Sequence, residues 1–126
     1  MSRPGKKILI IEDDPYIAKF LASRLRHSGY DVISAKDGRE GVTKAVEENP
    51  DLVITDLALP YITGNVIVRM LRASEEHKKI PIIMLSAFIH AEMGRGVEVP
   101  ADAYIPKPFD PEKLLAKIRE LLSSVI

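Results

Sequence analysis

Five short apolar runs, separated by longer segments with helical spacing, constrain this chain more than any other feature. The runs are Ile8–Ile11, Val32–Ala35, Leu52–Thr55, Ile82–Leu85 and Ala103–Ile105. Runs this short and this rich in Ile and Val suit strands of a parallel sheet buried on both faces. The segments between them carry helix signals. Asp14 can cap a helix, Pro15 suits its first position and Gly29 closes it, with Ile17, Phe20, Leu21 and Leu25 recurring at helical spacing between. A second helix is expected from about Gly38 to Glu48, before the Asn49-Pro50-Asp51 break. A third follows Gly64, with Val66, Ile67, Met70 and Leu71 as its expected buried face. The last repeats the capping chemistry in Asp110 and Pro111, followed by Leu114, Leu115, Ile118, Leu121 and Leu122.

Strands alternating with helices imply an α/β fold, a doubly wound five-stranded parallel sheet with helices on both faces. Right-handed crossovers leave few topologies. Between Ser86 and Tyr104 a helix must return the chain, yet Gly94, Gly96 and Pro100 fall inside that stretch. Each Gly costs roughly 1 kcal/mol relative to Ala in a helix interior, so the fourth of five helices is expected to be short or irregular. At 126 residues, with no linker, repeat or low-complexity tract, the chain reads as one domain, 1–126, with its core over about 6–123.

Lys plus Arg equals Asp plus Glu at 18 each, so no net field draws the chain to nucleic acid or to a membrane surface. The absence of cysteine excludes disulfides and thiolate metal sites. The opening Met-Ser-Arg-Pro-Gly-Lys-Lys is polar and basic, and the apolar stretch after it is too short for a signal peptide or a membrane span. A cytoplasmic location is the expectation.

In an open parallel sheet the functional crevice lies at the carboxyl ends of the strands. The polar residues that end the runs are therefore the informative ones: Glu12-Asp13-Asp14, then Asp56, then Ser86, with Lys107 after the fifth run. Each alone has an ordinary explanation, and Asp14 is best read as a helix cap. Together they place carboxylates from two strands, a hydroxyl and an ammonium group at one edge. Clustered carboxylates repel, and a hard divalent cation such as Mg²⁺ relieves that conflict while leaving positions for phosphate oxygens. Phosphoryl transfer needs charge neutralised and reactants held in line. Asp56 suits the nucleophile, with Lys107 supplying positive charge and Ser86 a hydrogen bond.

These residues resemble the response-regulator receivers of bacterial two-component systems. Lys7–Asp14 resembles their first strand with its terminal acidic pair, and Asp51–Pro60 with Gly64 resembles their phosphoacceptor strand and loop. Ile82–Ala87 matches the strand bearing the family's Ser/Thr switch residue, and Ala101–Phe109 the Lys-Pro signature. The four motifs occur in order, with 43 residues from Asp13 to Asp56 and 30 from there to Ser86. The resemblance implies the flavodoxin-like strand order 2-1-3-4-5, as in the chemotaxis receiver. It implies phosphorylation of Asp56 by a histidine kinase or phosphotransfer protein. Mg²⁺ would be held by Asp13, Asp56 and the backbone carbonyl of Ala58, and by Glu12 through water. Lys107 would pair with the phosphoryl group, and the Lys107–Pro108 peptide would be cis. Ser86 and Tyr104 would form the switch, which controls a downstream protein or a fused output domain. A homodimer is compatible with it; direct contact with nucleic acid or membrane is not expected of this domain. Such a domain catalyses its own phosphorylation and dephosphorylation and is not a turnover enzyme.

The chain departs from the family pattern in places. Leu59 stands where methionine is common, Pro100 where Gly is common, and the 21 residues from Ser86 to Lys107 are about one fewer than in many members. These departures bear on the output face. No output domain follows Val125-Ile126, so docking to another protein, or origin in a longer chain, is expected. Phe88 is expected to shield an acyl phosphate from water. His27, His77 and His90 show no ligand spacing and read as exposed surface residues.

Three other functions compete. A phosphatase of the haloacid dehalogenase class would want a second Asp where Ala58 stands, and a flavin or nucleotide carrier a Gly- or Ser/Thr-rich first loop where Glu12-Asp13-Asp14 stands. A receiver-fold interaction module working without phosphorylation would not need the intact acidic set.

Overall fold

The computed structural model describes residues 5–86 and 101–123. Strands β1 (Lys7–Ile11), β2 (Asp31–Ala35), β3 (Leu52–Asp56), β4 (Ile82–Ser86) and β5 (Ala103–Pro106) fall on the five apolar runs. Helices α1 (Pro15–His27), α2 (Gly38–Glu48), α3 (Gly64–Ala73) and α4 (Pro111–Ser123) lie between or after them. All strand pairings are parallel, in the order β2-β1-β3-β4-β5, as the resemblance implied. The return helix expected between Ser86 and Tyr104, with Phe88, His90, Gly94, Gly96 and Pro100, lies outside the described residues.

Successive strand residues point to opposite faces, so each apolar run feeds two cores. Ile8, Ile10, Leu52, Ile54, Ile83 and Leu85 pack under α1 and α4, against Leu21, Leu25, Leu114 and Ile118. Leu9, Ile11, Val53, Ile82 and Met84 pack under α2 and α3, against Ala45, Ile67, Val68 and Leu71. The three inner strands are almost wholly buried. Strands β2 and β5 are only partly covered, because each has a neighbour on one side alone.

The helix ends follow from their sequences. The Asp14 carboxylate accepts the amides of Tyr16 at 2.9 Å and Ile17 at 3.4 Å, satisfying groups that the first turn leaves without partners. Asp37 does the same for Glu40 at 2.9 Å, and the Glu40 carboxylate in turn accepts the Lys36 amide at 2.7 Å. Asp110 accepts the Glu112 amide at 2.9 Å. Gly29 ends α1 at φ 96°, a conformation that a Cβ disfavours.

Three expectations need correction. Helix α3 buries Gly64, Ile67, Val68 and Leu71, whereas Val66 and Met70 are 39% and 44% exposed. Gly64 starts this buried face and lies so close to the sheet that a Cβ would collide with the Asp56 carbonyl oxygen and lie 2.8 Å from Met84 Sδ. On α1 the buried arc runs through Leu21, Ala22 and Leu25, leaving Phe20 46% exposed. His27 is exposed as expected, but His77 is only 4% exposed. The turn after α3 folds its ring inward: the His77 amide donates to the Ser74 carbonyl at 3.1 Å, and Nδ1 pairs with Ser74 Oγ at 2.9 Å.

Candidate functional site

Strand register assembles the site. Ile11 pairs with Thr55, which puts Glu12 level with Asp56. Asp56 pairs with Leu85, and Ser86 with Pro106, which brings Lys107 to the same edge. Backbone bonds continue past the strand ends, from the Glu12 amide to the Ala35 carbonyl and from the Lys107 amide to the Ser86 carbonyl, both at 3.0 Å. The Lys107–Pro108 peptide is cis, in line with the resemblance.

Lys107 Nζ donates to Glu12 Oε1 and to Asp56 Oδ2, each at 3.0 Å. Side-chain exposures of 1% for Glu12, 9% for Asp56 and 18% for Lys107 make this a largely buried arrangement. Glu12 Oε2 also accepts the Asp14 amide at 3.1 Å. One carboxylate oxygen from each of Glu12, Asp13 and Asp56 lies within 4.8 Å of the others, and Asp13 is the exposed member. Asp13 opens onto a groove of about 390 Å³ between α1 and the β2–α2 connection, which gives the edge access to solvent.

Burial pushes the Glu12 carboxyl above its ordinary range; the Asp14 amide and Lys107 offset this only in part, and the neighbouring Asp56 charge adds to it. Burial also opposes the charge on Lys107, but its bonds to Glu12 and Asp56 outweigh that, so its ammonium is held more firmly than usual. Both directions describe one condition: two buried carboxylates, Glu12 and Asp56, share one ammonium, with the Asp13 carboxylate close beside them. An additional cation with a preference for oxygen ligands fits this donor set.

The other expected residues lie close by in the fold. Ser86 is buried at the end of β4. Tyr104 is half-buried beside Met84, packs on the α2–α3 side of the sheet, and accepts the Ala101 amide on its hydroxyl at 3.4 Å. Alternation along β4 puts Ser86 on that same side. Ala58 is exposed in the loop after β3, which closes through a bond from the Gly64 amide to the Leu57 carbonyl at 2.9 Å.

One anchor carries no signature in the sequence. Asp102 Oδ2 accepts the Ile82 amide and an Arg72 guanidinium nitrogen, both at 2.7 Å, pinning α3 and the starts of β4 and β5 together. Arg72 also donates to the Ile80 carbonyl at 2.7 Å. Because Arg72 and Asp102 are 30 positions apart, no local pattern announces the pair.

Comparison with known proteins settles the family. The model of the response regulator receiver domain matches residues 8–119. The chain belongs to the response regulator receiver family. Among curated relatives, the DNA-binding dual master transcriptional regulator RpaA of Synechocystis is 42% identical over 117 residues, 92% of this chain and 48% of that protein. The chain thus spans about half the length of the curated relatives it matches. The receiver domain of a signal transduction histidine kinase from Syntrophus aciditrophicus superposes with a TM-score of 0.90 at 33% identity, covering 96% of this chain and 92% of that one. The receiver domain of a sensor histidine kinase from Pseudomonas aeruginosa, with a magnesium ion coordinated in its active-site cleft, has a TM-score of 0.86 at 28% identity, covering 94% and 98%. The chain is thus a receiver domain of the two-component type. Among the described residues no helix is long and apolar enough to cross a membrane.

Proposed function

We propose that this receiver accepts a phosphoryl group on Asp56 from the phosphohistidine of a histidine kinase or phosphotransfer protein. The supporting observation is Lys107 shared between Glu12 and Asp56 at 3.0 Å each, beside the Asp13 carboxylate. Asp13, Asp56 and the Ala58 carbonyl would hold Mg²⁺, and Glu12 would act through water. When bound, the ion neutralises the carboxylates and the charge on the phosphoryl oxygens. An Asp56 carboxylate oxygen attacks phosphorus in line, the N–P bond breaks, and the imidazole leaves. Lys107 orients Asp56 beforehand and afterwards holds a phosphoryl oxygen. Glu12, anchored by the Asp14 amide, keeps the ammonium at the sheet edge.

The switch in this reading is Ser86 with Tyr104. The Ser86 hydroxyl moves to donate to a phosphoryl oxygen, and the ring of Tyr104, now half-buried, turns further inward. The reader of that change is a downstream protein or an output domain on a longer chain. The region 1–126 acts as one domain, works in the cytoplasm, and turns over no separate substrate.

Intact mass after incubation with acetyl phosphate and Mg²⁺ tests the reading. The expected result is one added phosphoryl group, absent from Asp56→Asn and from a chelated control. No addition to the wild type, either from acetyl phosphate or from a phosphorylated histidine kinase, refutes it and favours the phosphorylation-independent module.

A further inference from the structure

The loop from Asp56 to Gly64 contains backbone strain that the phosphoacceptor chemistry does not explain. Tyr61 sits at φ 70°, in the left-handed region, although it has a Cβ and is 71% exposed. The Ile62 amide donates to the Pro60 carbonyl at 2.8 Å. A bond across one residue with positive φ is the strained form of γ-turn. A conformation of this kind costs of the order of a few kT to several kT and persists only where its surroundings hold it.

The N-terminus of α2 supplies that hold. The guanidinium carbon of Arg39 lies 3.9 Å from the centroid of the Tyr61 ring, a cation–π stack. Beside it, Gly38 approaches so closely that a Cβ there would collide with the Ile62 carbonyl oxygen and lie 2.6 Å from Ile62 Cβ. Asp37 and Glu40 fix this end of α2 through the caps already described. Arg39 therefore projects from a rigid helix start onto the central residue of the turn.

We propose that Arg39 is a positioning residue: its stack on Tyr61 latches the γ-turn and so sets the loop that presents the Ala58 carbonyl to Mg²⁺. The inference rests on the metal-dependent reading given above. The stack offsets part of the turn's cost, so losing it shifts the loop toward relaxed conformers. Apparent metal affinity scales with the latched fraction. An exposed cation–π contact changes such a balance by about two- to five-fold.

The variants Arg39→Ala, Arg39→Lys, Tyr61→Phe, Tyr61→Gly and the double Arg39→Ala/Tyr61→Gly test this with two readouts. The first is the NMR shift of the Tyr61 and Ile62 amides and α-carbons without metal, which reports the latch alone. The second is the Mg²⁺ dissociation constant from titration of the same spectra. Arg39→Ala is expected to move the Tyr61 and Ile62 signals and weaken Mg²⁺ binding about two- to five-fold. Tyr61→Phe keeps the ring and behaves as wild type, and Arg39→Lys recovers part of the loss. Glycine adopts positive φ without strain, so Tyr61→Gly needs no latch, and Arg39→Ala has no further effect in that background. Equal loss in both backgrounds, or unmoved Tyr61 and Ile62 signals in Arg39→Ala, overturns the proposal. A wild type that binds no Mg²⁺ overturns the metal reading and with it the consequence assigned to the latch, while the metal-free spectra still report whether the latch exists.

Discussion

Replacing Lys107 with methionine removes the ammonium and keeps most of its volume. Glu12 and Asp56 then face each other with side chains 1% and 9% exposed and no counter-charge between them. Breaking a fully buried pair costs about 3–5 kcal/mol because a charge is left uncompensated. Here Lys107 is 18% exposed and Asp13 opens the edge to solvent, so the cost is set lower, at about 2–3 kcal/mol. For a domain of this length that is a fall in Tm of roughly 6–15 °C, read by thermal unfolding in EDTA. A divalent cation restores the missing charge, so in excess Mg²⁺ the gap between variant and wild type should narrow to less than about 1 kcal/mol. Glu12→Gln placed on top of Lys107→Met should recover at least half of the loss, because it removes one of the two opposed charges. A gap of the same size in EDTA and in Mg²⁺, with no recovery from Glu12→Gln, would refute the charge-sharing argument and leave only lost packing.

Three further outcomes follow from individual contacts. Gly64→Ala must accommodate a Cβ against the Asp56 carbonyl oxygen and 3.0 Å from Leu57 Cα; it should lose about 1–3 kcal/mol in urea unfolding and also slow phosphorylation of Asp56. Asp14→Ala removes a cap with bonds of 2.9 and 3.4 Å and should cost about 1 kcal/mol while leaving the yield with acetyl phosphate unchanged, separating its role from that of Asp13. Asp102→Ala strands the Ile82 amide and breaks the Arg72 pair; a loss of about 1–3 kcal/mol is expected by the same measurement, with faster exchange at the Ile82 amide.

What was legible beforehand was local. Asp14-Pro15 and Asp110-Pro111 announce helix starts because a cap bonds to amides two or three residues away. The short apolar runs announce strands, and alternation along them divides the two cores. The carboxylates were readable as a group because parallel strands expose their carboxyl ends at one edge. The strand order, by contrast, came with the family resemblance, since spacing alone leaves several orders open.

Tertiary structure decided the rest. No sequence period distinguishes Val66 and Met70 from Ile67 and Leu71 as the buried face; packing on the sheet, with Gly64 tight against the backbone beyond β3, does. His77 became a buried residue through the turn after α3, which a search for ligand spacing does not test. The pairing of Lys107 with Glu12, 95 residues away, of Arg72 with Asp102, and of Arg39 with Tyr61 depends on strand register and on where each helix begins. Composition and local pattern determine which residues form strands, helices and caps, because those choices are settled by neighbours in the chain. Which distant side chains meet is settled only by packing, because strand register and helix placement bring together residues that no local pattern links.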